Sequence, residues 1–205
     1  MKKGVVMVLS LFCLLPFSPE AKAVVVDNNY CAGYSDVVDT NQYCTAIKYV
    51  TERSIFNGSY SVDQYVTGVK NFRPMDPINR AEVLKVILRA GGDATAYDQI
   101  KTYGREVGFA DIPANNSDWW LGFLKKAKKE GIIKGYVDNT FKPTNSVTRA
   151  EFLKMLLEAS PSATEVHNWK LQPQIELWAD TASTAWYVNY IGFANHYGLF
   201  ADFLG

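Results

Sequence analysis

Two stretches of this chain are near copies of each other: Asn71-Phe-Arg-Pro-Met-Asp-Pro-Ile-Asn-Arg-Ala-Glu-Val-Leu-Lys-Val-Ile-Leu88 and Thr140-Phe-Lys-Pro-Thr-Asn-Ser-Val-Thr-Arg-Ala-Glu-Phe-Leu-Lys-Met-Leu-Leu157. They align without a gap at an offset of 69 residues. Internal repetition at such a period is typical of a repeat protein, in which neighbouring units bury each other's apolar faces. We therefore expect functional sites on the surfaces and grooves that the units share.

The second half of each stretch predicts a helix. Asn79 with Glu82, and Thr148 with Glu151, form capping boxes, in which the short polar side chain accepts the N3 amide and the glutamate reaches back. An apolar stripe at helical spacing follows each box and should face the core. Its members are Ala81, Leu84 and Leu88 in the first copy and Ala150, Leu153 and Leu157 in the second.

Each copy follows a shorter segment that carries an aspartate ahead of an amphipathic stretch. These leading segments are Tyr34-Ser-Asp-Val37, Phe109-Ala-Asp-Ile112 and a third, Leu177-Trp-Ala-Asp180. In the middle unit, the helical stretch at 119–130 ends at Gly131, which suits a left-handed C′ position. The third unit has no Phe-x-Pro loop and no Arg-Ala-Glu helix before Gly205. The pattern predicts an all-α protein with an incomplete third repeat.

The chain ends and the repeats define four regions. They are a signal peptide at 1–23, a first unit with a longer loop at 24–97, a second unit at 98–164 and a partial third at 165–205. Lys2 and Lys3 precede an apolar run that is too short to span a bilayer, and Ala21-Lys-Ala23 suits signal cleavage. The remaining chain has 18 basic and 20 acidic residues. This balance creates no cationic field for nucleic acid, and we expect no stable membrane span after cleavage.

Two arginines occupy a position that helix electrostatics disfavours. Arg80 and Arg149 are each the first residue after the cap, where a cation opposes the helix dipole. One explanation is an anion site, in which a guanidinium and helix amides converge on a carboxylate or phosphate. The other is an ion pair with an acid of the fold, and the candidates are Asp36, Asp111 and Asp180. The residues alone do not decide between the two.

Two cysteines follow the signal segment, Cys31 and Cys44. In an exported chain, a pair at this spacing predicts a disulfide, although two free thiols are the alternative. No further cysteine or histidine stands at metal-ligand spacing, and we expect no metal or cofactor. His167 and His196 are isolated, and the chain has neither a Gly-x-Ser-x-Gly nor a His-Glu-x-x-His motif.

The motifs Phe-x-Asp, Gly-Ile-Ile-x-Gly-Tyr-x-Asp, Thr-Phe-x-Pro and Val-Thr-Arg-Ala-Glu-Phe at 109–157 resemble the S-layer homology (SLH) domain of bacterial surface proteins. The resemblance extends to 34–88, apart from the longer loop, and to the front half of a unit at 177–200. It implies a pseudo-threefold trefoil, with first helices in a central bundle and loops plus second helices as prongs. It also implies non-covalent anchoring to secondary cell-wall polysaccharides, often pyruvylated, or to peptidoglycan-linked polymers.

The resemblance also implies ligand-binding residues. It carries the groove arginine of the family to Arg149 and Arg80, which favours the anion site. Trp119 and Trp186 match the family's aromatic near the first helix, where stacking on a sugar and burial in the bundle both stay open. The family's loop falls on Gly135, Tyr136 and Asp138, which would line a groove, although Tyr136 could equally plug the core.

Three functional hypotheses follow. The first is an exported, non-catalytic protein at the cell surface that binds an anionic wall polysaccharide through inter-repeat grooves. The second is a surface-layer subunit that self-assembles, because an unfinished trefoil exposes apolar helix surface and another chain could supply the missing helix. The third, and least favoured, is a small enzyme that acts on wall glycans.

Overall fold

The computed structural model describes residues 29–59, 70–92, 104–171 and 178–200. The predicted signal peptide and part of the longer first loop lie outside these ranges. Within them, regular structure is helical apart from isolated β-bridges, which confirms the all-α class. The helices are α1 (Cys44–Glu52), α2 (Arg80–Ala90), α3 (Leu121–Lys129), α4 (Arg149–Glu158), α5 (Ala163–Asn168) and α6 (Val188–His196). The trefoil arrangement and the four region boundaries stay predictions.

Both predicted capping boxes are confirmed. The amide of Glu82 donates to Asn79 Oδ1, and the amide of Asn79 donates to Glu82 Oε2, each at 2.9 Å. The same exchange joins Thr148 and Glu151 at 2.9 and 3.2 Å. Each cap stabilises its helix by about 1 kcal/mol. The stripes behind the caps are buried, except that Ala150 is only half-buried.

The aspartates of the leading segments hold the Phe-x-Pro loops. Asp36 and Asp111 each accept two consecutive backbone amides at 2.7 to 2.9 Å. The donors are Phe72 and Arg73 in the first unit and Phe141 and Lys142 in the second. Arg73 and Lys142 have φ values of 62° and 57°, a left-handed conformation that costs roughly 1–2 kcal/mol without glycine. Hydrogen bonds to a charged acceptor offset that cost.

The α3 helix ends as the sequence predicts. Gly131 lies one residue beyond the C-cap with φ of 75°, and its neighbour Ile132 donates its amide to Ala127 at 2.9 Å. Ile132 folds back onto the helix and is buried. This closure turns the chain into the loop that carries Gly135 and Tyr136.

The second helix of each unit packs on the first helix of the next. The largest core cluster joins α2 to α3, and a second cluster joins α4 to α6. A third, smaller cluster lies around α1 and includes Cys31 and Cys44, which the structure joins in a disulfide with their Cα atoms 5.6 Å apart. The largest cluster therefore continues across the junction between the first two units, whereas the α1 cluster lies within the first unit.

The described helices are short. The longest, α2, has 11 residues, whereas a membrane-spanning helix needs about 20. No helix in the described ranges is long and apolar enough to cross a membrane.

Candidate ligand groove

Arg80 lies at the junction of the first two units and is buried, with 7% of its surface exposed. Its Nε donates to the carbonyl oxygen of Phe141 at 2.9 Å, and its Nη1 lies 3.3 Å from Glu151 Oε1. The guanidinium carbon also lies 4.8 Å from the ring centroid of Tyr136 and 5.1 Å from that of Phe141. These contacts compensate the unfavourable position of a cation at the helix start.

The acid that pairs with Arg80 is Glu151, and none of the three aspartates considered from the sequence has this role. Asp36 and Asp111 are occupied by loop amides, and Asp180 lies exposed beside Thr181. Glu151 was assigned from the sequence only to the cap of α4. It uses Oε2 for that cap and Oε1 for Arg80 and the Tyr136 hydroxyl, which donates at 2.8 Å.

The hydrogen bonds around Glu151 set its charge state. Burial by itself would raise the pKa of this carboxyl. The amide of Thr148, the hydroxyls of Tyr136 and Thr148, and the Arg80 charge outweigh burial and hold the pKa below its ordinary value. Burial, followed by the bond to Glu151, raises the pKa of Tyr136. At neutral pH, the Glu151 carboxylate is therefore charged and the Tyr136 phenol is neutral.

A groove of about 260 Å³ opens beside this junction. Residues from the first and second units and from the predicted third unit line it. Besides Gly135, its polar and aromatic lining residues are Arg80, Lys134, Tyr136, Glu151, Lys154 and Trp186. Three predicted site residues, Arg80, Gly135 and Tyr136, thus meet at one place. The groove holds three cations and one carboxylate, which is already paired.

Gly135 has a steric reason to be glycine. Its φ is 78°, and a Cβ atom there would lie 2.5 Å from the Phe109 ring and 2.8 Å from the Thr140 carbonyl oxygen. Gly58 repeats this arrangement in the first unit against Tyr34 and Asn71. The close approach brings the loop backbone against the core and places Tyr136 over Arg80.

A lysine–tryptophan pair recurs at the edge of two units. Lys154 Nζ lies 5.8 Å from the ring centroid of Trp186, and Lys85 Nζ lies 5.0 Å from that of Trp119. Both tryptophans are more than half exposed, at 57% and 53%. Burial, followed by the neighbouring Arg89 charge, lowers the pKa of Lys85. Of the two pairs, Lys154–Trp186 lines the groove.

The other predicted site residues lie outside this groove. The side chain of Arg149 is exposed and makes no hydrogen bond or ion pair within the described part of the chain. Trp119 lies exposed at the start of α3 against the edge of Phe123. Asp138 turns back on its own loop, where the hydrogen bond from the Thr140 hydroxyl, helped by the Thr140 amide and the Lys142 charge, lowers its pKa against the opposing effect of desolvation.

Sequence reasoning missed the importance of two positions. Lys154 lies in the duplicated segment, and the lysine at the equivalent position, Lys85, could have indicated that this position matters. Trp186 was compared with the family aromatic but was not included among the site residues. Its role depends on how α6 packs against α4, which no local pattern reveals.

The isolated histidines make structural contacts. His167 Nε2 lies 2.8 Å from Glu158 Oε2, and Glu158 Oε1 accepts the Tyr190 hydroxyl at 2.6 Å. His196 packs against Trp169 and Tyr197. Among the described residues, no three His, Cys, Asp or Glu side chains are grouped so that they could hold a metal ion.

Comparison with known proteins identifies the class of module. The S-layer homology domain family matches residues 109–153, which include α3, the loop with Gly135 and Tyr136, and the start of α4. Arg80, Lys154 and Trp186 of the groove lie outside this match. This chain therefore contains an S-layer homology domain, and the resemblance noted in its sequence is confirmed. The number of repeats stays a prediction.

Several similar proteins have names that refer to the cell surface, the cell wall or anchoring. The chain is 32% identical over 152 residues to "Cell surface glycoprotein 1" of Acetivibrio thermocellus, which covers 68% of this chain and 6% of that protein. It is 34% identical over 106 residues to "Middle cell wall protein" of Brevibacillus brevis, an alignment that covers 50% of this chain and 8% of that protein. It is 30% identical over 135 residues to "Cellulosome-anchoring protein" of Acetivibrio thermocellus, an alignment that covers 62% of this chain and 26% of that protein. The chain thus spans only a small part of each relative.

Proposed function

We propose that this protein is exported and anchors non-covalently to the cell envelope by binding an anionic cell-wall polysaccharide, without catalytic activity. The S-layer homology domain and the names of its relatives, which include a cell-wall protein and an anchoring protein, support a cell-surface location. A pyruvylated polymer is the ligand that we expect, because its ketal adds one carboxylate to a sugar.

The charge of the groove is the observation that carries this proposal. Arg80, Lys134 and Lys154 line it, whereas its single carboxylate, Glu151, is already engaged by Arg80 and Tyr136. An anion that enters the groove would therefore gain charge-assisted hydrogen bonds without meeting an unpaired acid. The volume, near the lower end of the roughly 300–1,000 Å³ range of ligand sites, suits a short part of a polymer.

Each groove residue would make a different contact with the ligand. Lys154 is half-buried and stands over the exposed face of Trp186, so that a carboxylate and a sugar face could bind side by side. Arg80 would bridge fold and ligand, since it is tied to the loop and also faces the groove. Gly135 and Tyr136 would shape the wall. Arg149, Trp119 and Asp138 stay predicted contacts from sequence alone.

Sedimentation with purified wall material tests the proposal. We expect Lys154→Ala and Trp186→Ala to weaken binding of the mature protein by at least about tenfold, equal to about 1.4 kcal/mol. Lys85→Ala is the matched control for Lys154→Ala, because Lys85 is the equivalent lysine of the first unit and lies outside the groove. Mild acid treatment of the wall, which cleaves ketal substituents, should weaken binding of the wild type as well.

Two outcomes would contradict this assignment. If Lys154→Ala and the Lys85→Ala control lose affinity equally, the groove is not the binding site. If walls stripped of acidic substituents bind the protein as well as untreated walls do, the ligand is not recognised by its charge.

A further inference from the structure

A tyrosine stands behind the tryptophan of the groove. Trp186 lies two residues ahead of α6 and is 57% exposed. Four residues further on, the ring of Tyr190 meets the Trp186 ring edge-on, with the ring centroids 6.5 Å apart and the planes at 67°. Tyr187 makes a second edge contact at 5.3 Å. Because Trp186 precedes the helix and more than half of its surface faces solvent, these ring contacts restrain its orientation in the groove.

The hydroxyl of Tyr190 is tied to α4. It donates to Glu158 Oε1 at 2.6 Å, and Glu158 Oε2 lies 2.8 Å from His167 Nε2 of α5. The Glu158 side chain is only 10% exposed, and side chains of the fold hold both of its oxygens. Burial, followed by the bond to Glu158, raises the pKa of Tyr190, so its hydroxyl stays protonated as a donor. Glu158 does not line the groove and would influence a ligand there through its neighbours.

The other lysine–tryptophan pair has the same ring contact without a hydroxyl. Phe123 stands four residues after Trp119, and the two rings meet edge-on with centroids 6.3 Å apart and planes at 73°. In the predicted third unit this position is Tyr190, and Glu158 takes the place that Arg89 has in α2. Phe123 has no exposed surface, so packing alone fixes its ring. Tyr190 is only partly buried and depends on its hydrogen bond instead.

We propose that Tyr190 and Glu158 are positioning residues for Trp186. The hydrogen bond between them holds the Tyr190 ring, and that ring holds Trp186 in the orientation that stacks on a sugar of the ligand. This role rests on the proposed function, because it requires that Trp186 contacts the ligand. A ring that is already oriented loses less conformational freedom when a ligand orders it, and it therefore binds more tightly.

Sedimentation with purified wall material tests this role. Tyr190→Phe removes only the hydroxyl and should weaken wall binding of the mature protein by about three- to tenfold. Glu158→Ala should have the same effect, whereas Glu158→Gln, which keeps an acceptor oxygen, should retain most of the affinity. Tyr197→Phe is the matched control, because Tyr197 follows the same helix, is 58% exposed and does not line the groove.

Fluorine NMR separates the orientation of Trp186 from a general loss of stability. With fluorotryptophan incorporated, each of the five tryptophans gives its own resonance, and Trp186→Phe and Trp119→Phe assign the two that matter. Without wall material, Tyr190→Phe should shift or broaden the Trp186 resonance and leave that of Trp119 unchanged. In a Trp186→Ala background, Tyr190→Phe should cause no further loss of wall binding.

Three results would overturn this role. One is a Trp186 resonance that Tyr190→Phe leaves unchanged. Another is wall binding that Tyr190→Phe leaves unchanged although Lys154→Ala weakens it. The third is a loss of wall binding by Tyr190→Phe that is equally large in the Trp186→Ala background, because the hydroxyl would then act elsewhere. If the resonance responds but wall binding does not depend on Lys154, the proposed function is wrong and the positioning of Trp186 stands.

Discussion

Arg80 and Glu151 form an ion pair at 3.3 Å although 71 residues separate them in sequence. Glu151 also closes the cap of α4 and accepts the Tyr136 hydroxyl. One carboxylate therefore fixes the start of α2, the loop and the start of α4 relative to each other. The pair lies beside the groove, so the same contacts define the shape of the proposed binding site.

We predict that Arg80→Ala destabilises the protein by about 2–4 kcal/mol, because it leaves Glu151 and the Phe141 carbonyl without their buried donor. Urea unfolding followed by circular dichroism measures this change in the free energy of unfolding. Arg149→Ala is the matched control: the same residue type at the same helix position, but exposed, should change stability by less than about 0.5 kcal/mol. Equal losses in the two variants would show that the ion pair contributes nothing specific.

The stability that Glu151 contributes should depend on pH. Its native pKa is depressed, so its stabilising effect is present above the unfolded value of about 4.3 and is lost as the pH falls through the lower native value. The difference in unfolding free energy between wild type and Glu151→Gln should therefore be larger at about pH 7 than at about pH 3. A difference that stays constant between these pH values would argue against a charged Glu151 in the native state.

Two glycines provide a matched test of loop packing. Gly135 and Gly131 both have positive φ, at 78° and 75°, but an added Cβ meets the Phe109 ring only at Gly135 and nothing within 4 Å at Gly131. Gly131→Ala should cost about 1 kcal/mol for its conformation alone. Gly135→Ala should cost at least about 2 kcal/mol more, because the core must shift. Thermal unfolding of the two variants measures the difference, and equal midpoints would contradict the close contact.

Reduction of the Cys31–Cys44 bridge should loosen the first unit. The bridge closes a loop of 13 residues, which corresponds to about 3 kcal/mol in the chain-entropy estimate. We expect the double variant Cys31→Ser, Cys44→Ser to lose hydrogen-exchange protection in α1 while α3 and α4 keep theirs. Uniform loss across all three helices would mean that the first unit and the rest unfold together.

The local features of the fold could be read from the sequence because they depend on residues close to each other. The capping boxes need only residues three apart, and Gly131 ends α3 through contacts within a few positions. The apolar stripes follow from helical spacing. These predictions hold in the structure, except that Ala150 of the second stripe is only half-buried.

The partner of Arg80 could not be predicted from the local sequence. The aspartates were reasonable candidates because they recur in every unit, but Asp36 and Asp111 bind loop amides within their own unit and Asp180 lies exposed. Arg80 and Arg149 stand in nearly the same local sequence, yet one is buried and the other is exposed. The difference depends on the loop and helix that follow in the next unit, so it belongs to docking between units rather than to the motif.

The packing of α2 on α3 has a consequence for how the chain acquires its structure. The repeat seen in the sequence begins with a first helix and ends with a second helix, whereas the main core begins with the second helix of one repeat and continues into the next. A fragment cut at the repeat boundary would separate α2 from the surface that completes it. During synthesis, α2 can reach its final state only when the chain has been made as far as Glu151. The repeat visible in the sequence and the main hydrophobic core therefore begin at different points of the chain, with α2 belonging to the first repeat and to the core of the second.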